Sequence, residues 1–289
     1  MPDERLPPDC DWLAHYGLSR RTVLAGTAAG LGFAAACQPV SATTKITSSE
    51  GIDTASATVK AADGFAVPVY VARPKTRGPL PVIIVVHEIF GVHQWIKDIC
   101  RRLAHEGYMA VAPDLFARAG DATKVADIPT LFQTIVAKTP DAQVLSDIDR
   151  TAAWADGHGG AAGKTGITGF CWGGRVVWLY AAHSAALKAG VAYYGRLKGE
   201  QPIQPLQVAG KLKAPVLGQY GGRDHGIPLS DVEAMNKALG QAGGKSRITV
   251  YPEADHGFMA DYRPSYNEQA AKASWAAMLD WFGKTLGRT

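Results

Sequence analysis

The chain has 289 residues, of which 47% are hydrophobic and 19% are charged, and its formal net charge is +4. This composition is ordinary for a globular protein and is sufficient for one large domain or two small ones. Because the positive excess is small and no basic block interleaved with aromatics occurs, we expect no nucleic-acid partner.

The N-terminal part differs in kind from the rest of the chain. Residues 19–24, Ser-Arg-Arg-Thr-Val-Leu, match the twin-arginine motif of export signals, and a weakly apolar Ala- and Gly-rich run follows. We predict a signal segment over residues 1–42 that engages the twin-arginine export machinery, is cleaved after Ala42 and delivers the protein to the periplasm. Two alternatives stay open, lipidation at Cys37 and a retained N-terminal membrane anchor. The apolar run is short and interrupted by glycine, so no stable membrane span is expected in the mature protein.

Strand-like and helix-like patterns alternate along the remaining chain, after a Ser- and Thr-rich segment at residues 43–55 that we predict to be a flexible lead-in. Residues 56–74 are typical of a β-hairpin with Asp63-Gly64 at its turn. The apolar run 81–88 indicates a strand buried on both faces of a parallel sheet. Further strands are predicted at residues 108–114, 164–170, 189–195, 214–222 and 246–253, and helices at residues 95–107, 141–156, 173–184, 230–243 and 266–287.

This alternation predicts βαβ units with right-handed crossovers. We expect one α/β domain over residues 56–289, because no linker or change of composition divides this range. Its sheet is predicted to be mostly parallel and covered by helices on both faces. The polar stretch 116–140, which contains Pro129 and Pro140, is predicted to form a short cap over one end of the sheet.

Two of the four cysteines, Cys10 and Cys37, fall in the predicted signal segment. Cys100 lies on the apolar face of the helix predicted at residues 95–107, so we expect it to pack in the core. The sequence has no CxxC motif and no Cys/His cluster. Neither a disulfide nor a bound metal is therefore predicted, and no cofactor is expected.

The fourth cysteine stands in Gly-Phe-Cys-Trp-Gly, residues 169–173, where a strand pattern gives way to a helix pattern. G-x-C-x-G in a strand–turn–helix context is typical of a nucleophile elbow, in which small residues let the strand and helix approach closely. The N-terminus of the following helix favours a thiolate over a thiol. Cys171 is therefore the candidate nucleophile, and the alternative is a buried structural cysteine in a Gly-rich turn.

A nucleophile of this kind requires a base and an acid that orients the base. In α/β-hydrolases these follow the nucleophile in the order acid, then histidine. His256 directly follows a predicted strand, and Asp224 lies in a Gly-rich loop just past another strand. Asp255 and Asp261 flank the histidine and compete for the role of the acid. We favour Asp224, because neighbours in sequence usually cannot reach an imidazole from behind.

Glu88 ends the apolar run 81–88, where it is either a solvated rim carboxylate or a functional group. In this kind of fold the loop after that strand supplies one oxyanion-hole amide, and the residue after the nucleophile supplies the other. We predict that these donors are the backbone N–H groups of Ile89 and Trp172. A carboxylate near the thiol would disfavour the thiolate until the carboxylate moves away.

Five motifs in order give residues 56–289 a resemblance to the dienelactone hydrolase (carboxymethylenebutenolidase) family. They are HEIFG, PDLFAR, GFCWGG, GGRDHGIP and ADHGF. The resemblance implies an α/β-hydrolase fold with a Cys-His-Asp triad that hydrolyses dienelactones or related esters. It also implies that Glu88 bonds the resting thiol and shifts when substrate arrives, which lets the cysteine ionise.

The sequence departs from this family at the site that binds a substrate carboxylate. Well-studied members are expected to use two arginines, one in the cap helix and one four residues past the catalytic histidine. Here the second position is Ala260, and no arginine occurs between Arg118 and Arg150. Candidates to bind substrate in their place are Arg118, Arg175, Arg263 and the aromatic residue Tyr194.

The sequence thus predicts an exported hydrolase of small esters or lactones. Cys171 would attack the carbonyl, His256 oriented by Asp224 would move the proton, and water would cleave the thioester. The alternative is a non-hydrolytic protein on the same fold that binds a ligand or senses oxidants through the thiol.

Overall fold

The computed structural model describes residues 44–199 and 201–287, so the predicted signal segment 1–42 lies outside the described residues. One eight-stranded sheet forms the centre of the molecule. Its strands are β1 Ile52–Lys60, β2 Ala66–Pro74, β3 Leu80–Val86, β4 Met109–Pro113, β5 Gly160–Phe170, β6 Ala189–Tyr193, β7 Val216–Gly221 and β8 Arg247–Tyr251. The helices are α1 Gln94–His105, α2 Ile128–Thr134, α3 Asp141–Gly157, α4 Trp172–His183, α5 Pro205–Val208, α6 Leu229–Gln241 and α7 Glu268–Leu286.

The strand order is β1-β2-β4-β3-β5-β6-β7-β8. Strand β2 pairs antiparallel with β1 and with β4, and every other neighbouring pair is parallel. All seven residues of β3 are buried, as expected of a strand near the middle of a sheet that is covered on both sides. The predicted α/β fold with a mostly parallel sheet is confirmed.

Helices cover both faces of the sheet, as two glycines on paired strands show. Gly166 of β5 pairs with Ala189 of β6, and the next residue along, Ile167, pairs with Gly190. A Cβ on Gly166 would meet Phe282 of α7, whereas one on Gly190 would meet Val177 of α4. Because successive strand residues point to opposite faces, α7 and α4 lie on opposite sides of the sheet.

Strand β1 begins at Ile52, inside the segment 43–55 that we predicted to be a flexible lead-in. Just upstream, the backbone N–H of Thr47 donates to Asp98 of α1 at 2.6 Å, and its hydroxyl donates to the same carboxylate. The prediction missed this because an edge strand exposes most of its side chains and so lacks an apolar pattern. The structured domain therefore begins earlier than the predicted boundary at residue 56.

The stretch 116–140, which we predicted to be a cap, contains α2 and two short 3-10 turns. The side chain of Asp127 caps α2 by accepting from the N–H of Thr130 at 2.8 Å, and Pro129 occupies the first turn, where no hydrogen-bond donor is needed. Between residues 44 and 287, leaving out the undescribed residue 200, no helix is long and apolar enough to cross a membrane.

Candidate active site

Cys171 lies in the turn between β5 and α4, and its backbone has φ 55° and ψ −114°. A positive φ is unfavourable for a residue with a side chain, and it persists only where the surroundings impose it. Here the close approach of helix and strand imposes it: a Cβ at Gly169 would collide with the carbonyl of Gly173, and a Cβ at Gly173 would lie 2.6 Å from the carbonyl oxygen of His87. The elbow predicted from the glycine spacing is present.

The side chain of Cys171 is fully buried and forms a hydrogen bond with His256. The thiol is not in a disulfide, and neither is that of Cys100, which packs in the core on α1 as predicted. Burial raises the pKa of Cys100 far above its usual range. The two described cysteines therefore differ in chemistry, because only Cys171 has a base beside it.

His256 follows β8, and its Nδ1 atom lies 2.8 Å from Oδ2 of Asp224, which follows β7. The other oxygen of Asp224 accepts from the N–H groups of Gly226 and Ile227, so the carboxylate cannot rotate freely. The competing acids are bound elsewhere. Asp255 accepts from the backbone N–H of His256, and Asp261 pairs with Arg102 of α1.

The charge state of His256 follows from these neighbours. Burial by itself lowers its pKa, but the negative charges of Cys171 and Asp224 and hydrogen bonds to both raise that pKa to about 10. An imidazolium is thus favoured while the sulfur is a thiolate. The arrangement can hold a proton next to the sulfur and release it to a leaving group.

Glu88 is fully buried at the end of β3, in a separate charged cluster. Its Oε1 atom accepts from Nη2 of Arg263 at 2.8 Å, and its Oε2 atom accepts from the hydroxyl of Tyr262. His93 lies 3.4 Å from Oε2. Burial would raise the pKa of Glu88, but Arg263, His93 and Tyr262 lower it to about 2. The bond to the resting thiol that the resemblance implied is not among these contacts.

The backbone amides of Ile89 and Trp172 flank the elbow, one after β3 and one at the first residue of α4. Within the described residues, neither N–H donates a hydrogen bond to a backbone carbonyl. The N-terminus of α4 also places partial positive charge beside the sulfur. Their role as oxyanion donors stays a prediction, and no backbone carbonyl among the described residues competes for either N–H.

The structure brings Arg263 to the site but not the other two arginine candidates. Arg118 donates to the carboxylates of Asp63 and Asp147, which ties the β1–β2 turn to α3. Arg175 makes a two-pronged ion pair with Asp141 at 2.7 Å and also donates to a backbone carbonyl. The prediction that Arg118 or Arg175 binds substrate gains no support from these contacts, because both guanidinium groups are occupied by structural partners.

Tyr194 follows β6 and also has a positive φ, of 36°. Its ring packs edge-on against that of His256, with 5.1 Å between ring centroids. Its hydroxyl is buried and has no hydrogen-bond partner among the described residues. Burial and the charge of Glu88 raise the pKa of Tyr194 well above its usual value, so the hydroxyl stays protonated and can donate to a ligand.

A cavity of about 330 Å³ lies between the loop after β3 and the predicted cap. Phe90 and His93 form one wall, and residues 122–131 contribute most of the other. Across the described residues, no group of three or more His, Cys, Asp or Glu side chains is placed to hold a metal ion.

Sequence reasoning missed three residues of the site, Tyr262, His93 and His87. Tyr262 directly precedes the arginine that we had considered, and the two histidines lie on either side of the Glu-Ile-Phe-Gly segment. An aromatic hydroxyl next to an arginine, and polar residues just past a buried strand, were the available signals. None of these signals indicates which partner the side chain will find.

The sheet order, the elbow after β5 and the later acid and histidine together define an α/β-hydrolase. The Dienelactone hydrolase family model matches residues 67–286, and the chain belongs to this family. It is accordingly a hydrolase, and the predicted family resemblance is confirmed.

Relatives and solved structures agree with this assignment. The chain is 53% identical over 262 residues to a Salmonella typhimurium protein named "Putative carboxymethylenebutenolidase", which covers 89% of this chain and 97% of the relative. It is 30% identical over 214 residues to the "Probable 2-oxo-3-(5-oxofuran-2-ylidene)propanoate lactonase" of Bradyrhizobium, covering 71% of this chain and 84% of the relative. A crystal structure described as a "Putative Dienelactone Hydrolase" from Klebsiella pneumoniae superposes with a TM-score of 0.79 at 54% identity, covering 81% of this chain and 99% of the other.

Proposed function

We propose that this hydrolase cleaves small esters or lactones by covalent catalysis through Cys171, His256 and Asp224. The observation that carries the proposal is the continuous hydrogen-bonded chain from the sulfur through the imidazole to the carboxylate. Each member comes from a different loop at the carboxyl edge of the sheet, which is the arrangement that nucleophilic catalysis requires.

The reaction would proceed in two halves. The thiolate of Cys171 attacks the carbonyl carbon, and the N–H groups of Ile89 and Trp172 stabilise the oxyanion. The tetrahedral intermediate collapses, the bond to the alkoxide breaks, and the imidazolium of His256 gives the alkoxide its proton. Water then attacks the thioester with His256 as the base, which releases the acid and restores the thiolate.

The pairing of Arg263 with Glu88 favours neutral substrates over carboxylate-bearing ones. Arg263 is the predicted substrate-binding arginine that reaches the site, and Glu88 already neutralises it. A substrate carboxylate would have to displace a buried ion pair, which is costly. We therefore place simple esters and neutral lactones ahead of dienelactones, with the hydroxyl of Tyr194 donating to the substrate.

The test is turnover of p-nitrophenyl acetate, a neutral lactone and a dienelactone by the wild type and by Cys171→Ala. We expect the variant to lose nearly all activity and the wild type to prefer the neutral substrates. Equal rates in the two proteins would remove Cys171 from the chemistry. Absence of turnover in the wild type, together with a mass increase of the thiol in mild peroxide, would favour the ligand-binding or redox-sensing alternative.

We also propose that residues 1–42 route the protein to the periplasm through the twin-arginine machinery, which carries folded proteins. The support is the motif at residues 19–24. Exchange of Arg20 and Arg21 together for lysine should leave full-length protein in the cytoplasm, measured by fractionation of expressing cells. Export of that variant at the normal level would contradict the proposal.

A further inference from the structure

The imidazole of His87 is fully buried directly beneath the elbow, and the proposed triad does not use it. Its Nε2 atom lies 3.1 Å from the backbone nitrogen of Leu115, and its Nδ1 atom lies 2.6 Å from the carbonyl oxygen of Glu88. A backbone N–H can only donate, so Nε2 accepts and carries no proton. The ring is therefore neutral with its proton on Nδ1, and it donates that proton to the Glu88 carbonyl.

The Glu88 carbonyl belongs to the same peptide group as the N–H of Ile89. This group is planar and trans, so its C=O and N–H point in opposite directions. A bond that fixes the carbonyl therefore also fixes the direction of the N–H that we assign to the oxyanion hole. Gly91 donates to the same carbonyl only at 3.3 Å, so the 2.6 Å contact from His87 is the tighter constraint.

The same imidazole also contacts the second donor. Its ring stacks on the indole of Trp172 with 5.3 Å between centroids and an interplanar angle of 16°. The backbone carbonyl of His87 abuts Gly173 so closely that no side chain fits there. One residue thus touches the peptide that carries the first amide and the side chain of the residue that carries the second.

We propose that His87 is the positioning residue of the oxyanion hole, holding the amides of Ile89 and Trp172 in the orientation that binds the tetrahedral intermediate. This inference rests on the proposed function. It assigns His87 no contact with substrate and no transfer of a proton, so His87 acts on the transition state through the two amides.

The test compares His87→Asn with His87→Leu, two side chains of nearly the same shape. Asparagine keeps an N–H donor close to the position of Nδ1, whereas leucine does not. With p-nitrophenyl acetate we expect leucine to lower kcat by about 10- to 100-fold with little change in KM, since loss of one oxyanion donor costs about 100-fold or more. Asparagine should remain within about threefold of the wild type.

Alkylation of Cys171 by iodoacetamide separates this role from a purely structural one. The thiolate displaces iodide from carbon, so no oxyanion forms and the two amides are not needed. Both variants should be alkylated at the wild-type rate within about twofold. Equal losses of alkylation and hydrolysis in the leucine variant would show a displaced nucleophile and overturn the inference. The inference would also be overturned if the asparagine and leucine variants lost hydrolysis equally, or if neither variant lost any.

If the leucine variant does not fold, His87→Gln takes its place. Glutamine keeps an acceptor for the N–H of Leu115 but has no donor at the Nδ1 position, so it should resemble leucine in hydrolysis. Wild-type hydrolysis by the glutamine variant would then overturn the inference. Hydrolysis that survives Cys171→Ala would contradict the proposed function. If Cys171→Ala is inactive and the leucine or glutamine variant hydrolyses ester at the wild-type rate, only the role of His87 is contradicted.

Discussion

Two buried carboxylates stand at the same edge of the sheet, and their partners differ. Asp224 accepts from His256 and from two backbone N–H groups. Glu88 accepts from Arg263 and Tyr262. Both side chains are fully buried, so burial alone does not distinguish them.

The difference lies in whether the partner can give up its charge. An imidazole gains and loses a proton near neutral pH, whereas a guanidinium stays charged throughout. In the mechanism that we propose, the charge of Asp224 acts on a group whose proton moves, whereas the charge of Glu88 is balanced by a guanidinium that stays charged. We therefore expect the carboxylate of Asp224 to serve catalysis and the carboxylate of Glu88 to balance charge.

The largest effect is expected from Asp224→Asn. The amide holds His256 without a negative charge, so the imidazolium loses its stabilisation and its orientation. We expect kcat for p-nitrophenyl acetate to fall by about 10⁴-fold, the loss seen when a Ser-His-Asp triad loses its acid. The measurement is steady-state hydrolysis together with circular dichroism of the folded protein.

The chain offers a matched control in Asp149, which pairs with His183 at 2.7 Å on the surface. Asp149→Asn removes a carboxylate from a histidine in the same way but far from the elbow, so kcat should not change. A loss in this variant that matches the loss at Asp224 would show that the effect is not specific to the site.

The next effect concerns stability and the pair Glu88 and Arg263. Glu88→Gln removes the buried carboxylate that accepts from Arg263, which should lower the free energy of unfolding by about 3–5 kcal/mol. Adding Arg263→Met should recover part of that loss, because the double variant buries neither charge of the pair. Urea unfolding of the wild type, both single variants and the double variant measures the coupling between the two side chains.

The ion pair of Glu88 and Arg263 should also make the stability of the folded protein depend on pH. The pKa of Glu88 is about 2 in the folded protein against an ordinary 4.5, so its stabilisation is present above pH 4.5 and is lost as the pH falls toward 2. The wild type should therefore lose stability over this range more steeply than the double variant. Parallel curves would contradict the assignment of the ion pair.

The smallest effect is expected from Arg118→Gln. Its guanidinium is held by Asp63 and Asp147, so it does not reach the substrate. The KM for a carboxylate-bearing ester should stay within about twofold of the wild-type value, because the remaining effect is that of a distant charge in water. A rise in KM of tenfold or more would restore this arginine as a substrate-binding residue.

The sequence was sufficient for the fold and for the convergence of Cys171, Asp224 and His256. The apolar strands fix the sheet, each of these residues follows a strand, and strand ends of a parallel sheet meet at one edge. Their catalytic roles stay predictions. The spacing of Gly169 and Gly173 around the cysteine is local, so it was readable without the structure.

The partners of the charged side chains were not predictable in the same way. Tyr262 and Arg263 reach Glu88 across more than 170 residues of sequence, and no periodic pattern selects them. The partners of Arg118 and Arg175 were not predictable for the same reason. The sequence shows that an arginine is charged but not which carboxylate it pairs with. Arg118 and Arg175 each pair with an aspartate of helix α3.

Because Cys171 has no exposed surface, the shape of an approaching molecule decides whether it reacts there. Hydrogen peroxide is a much smaller molecule than oxidised glutathione, and thiol oxidation depends on access as well as on thiolate character. The periplasm, where we propose that the protein works, is rich in disulfide-forming chemistry. We therefore expect burial to slow the reaction of the free thiol with bulky oxidants more than its reaction with small ones.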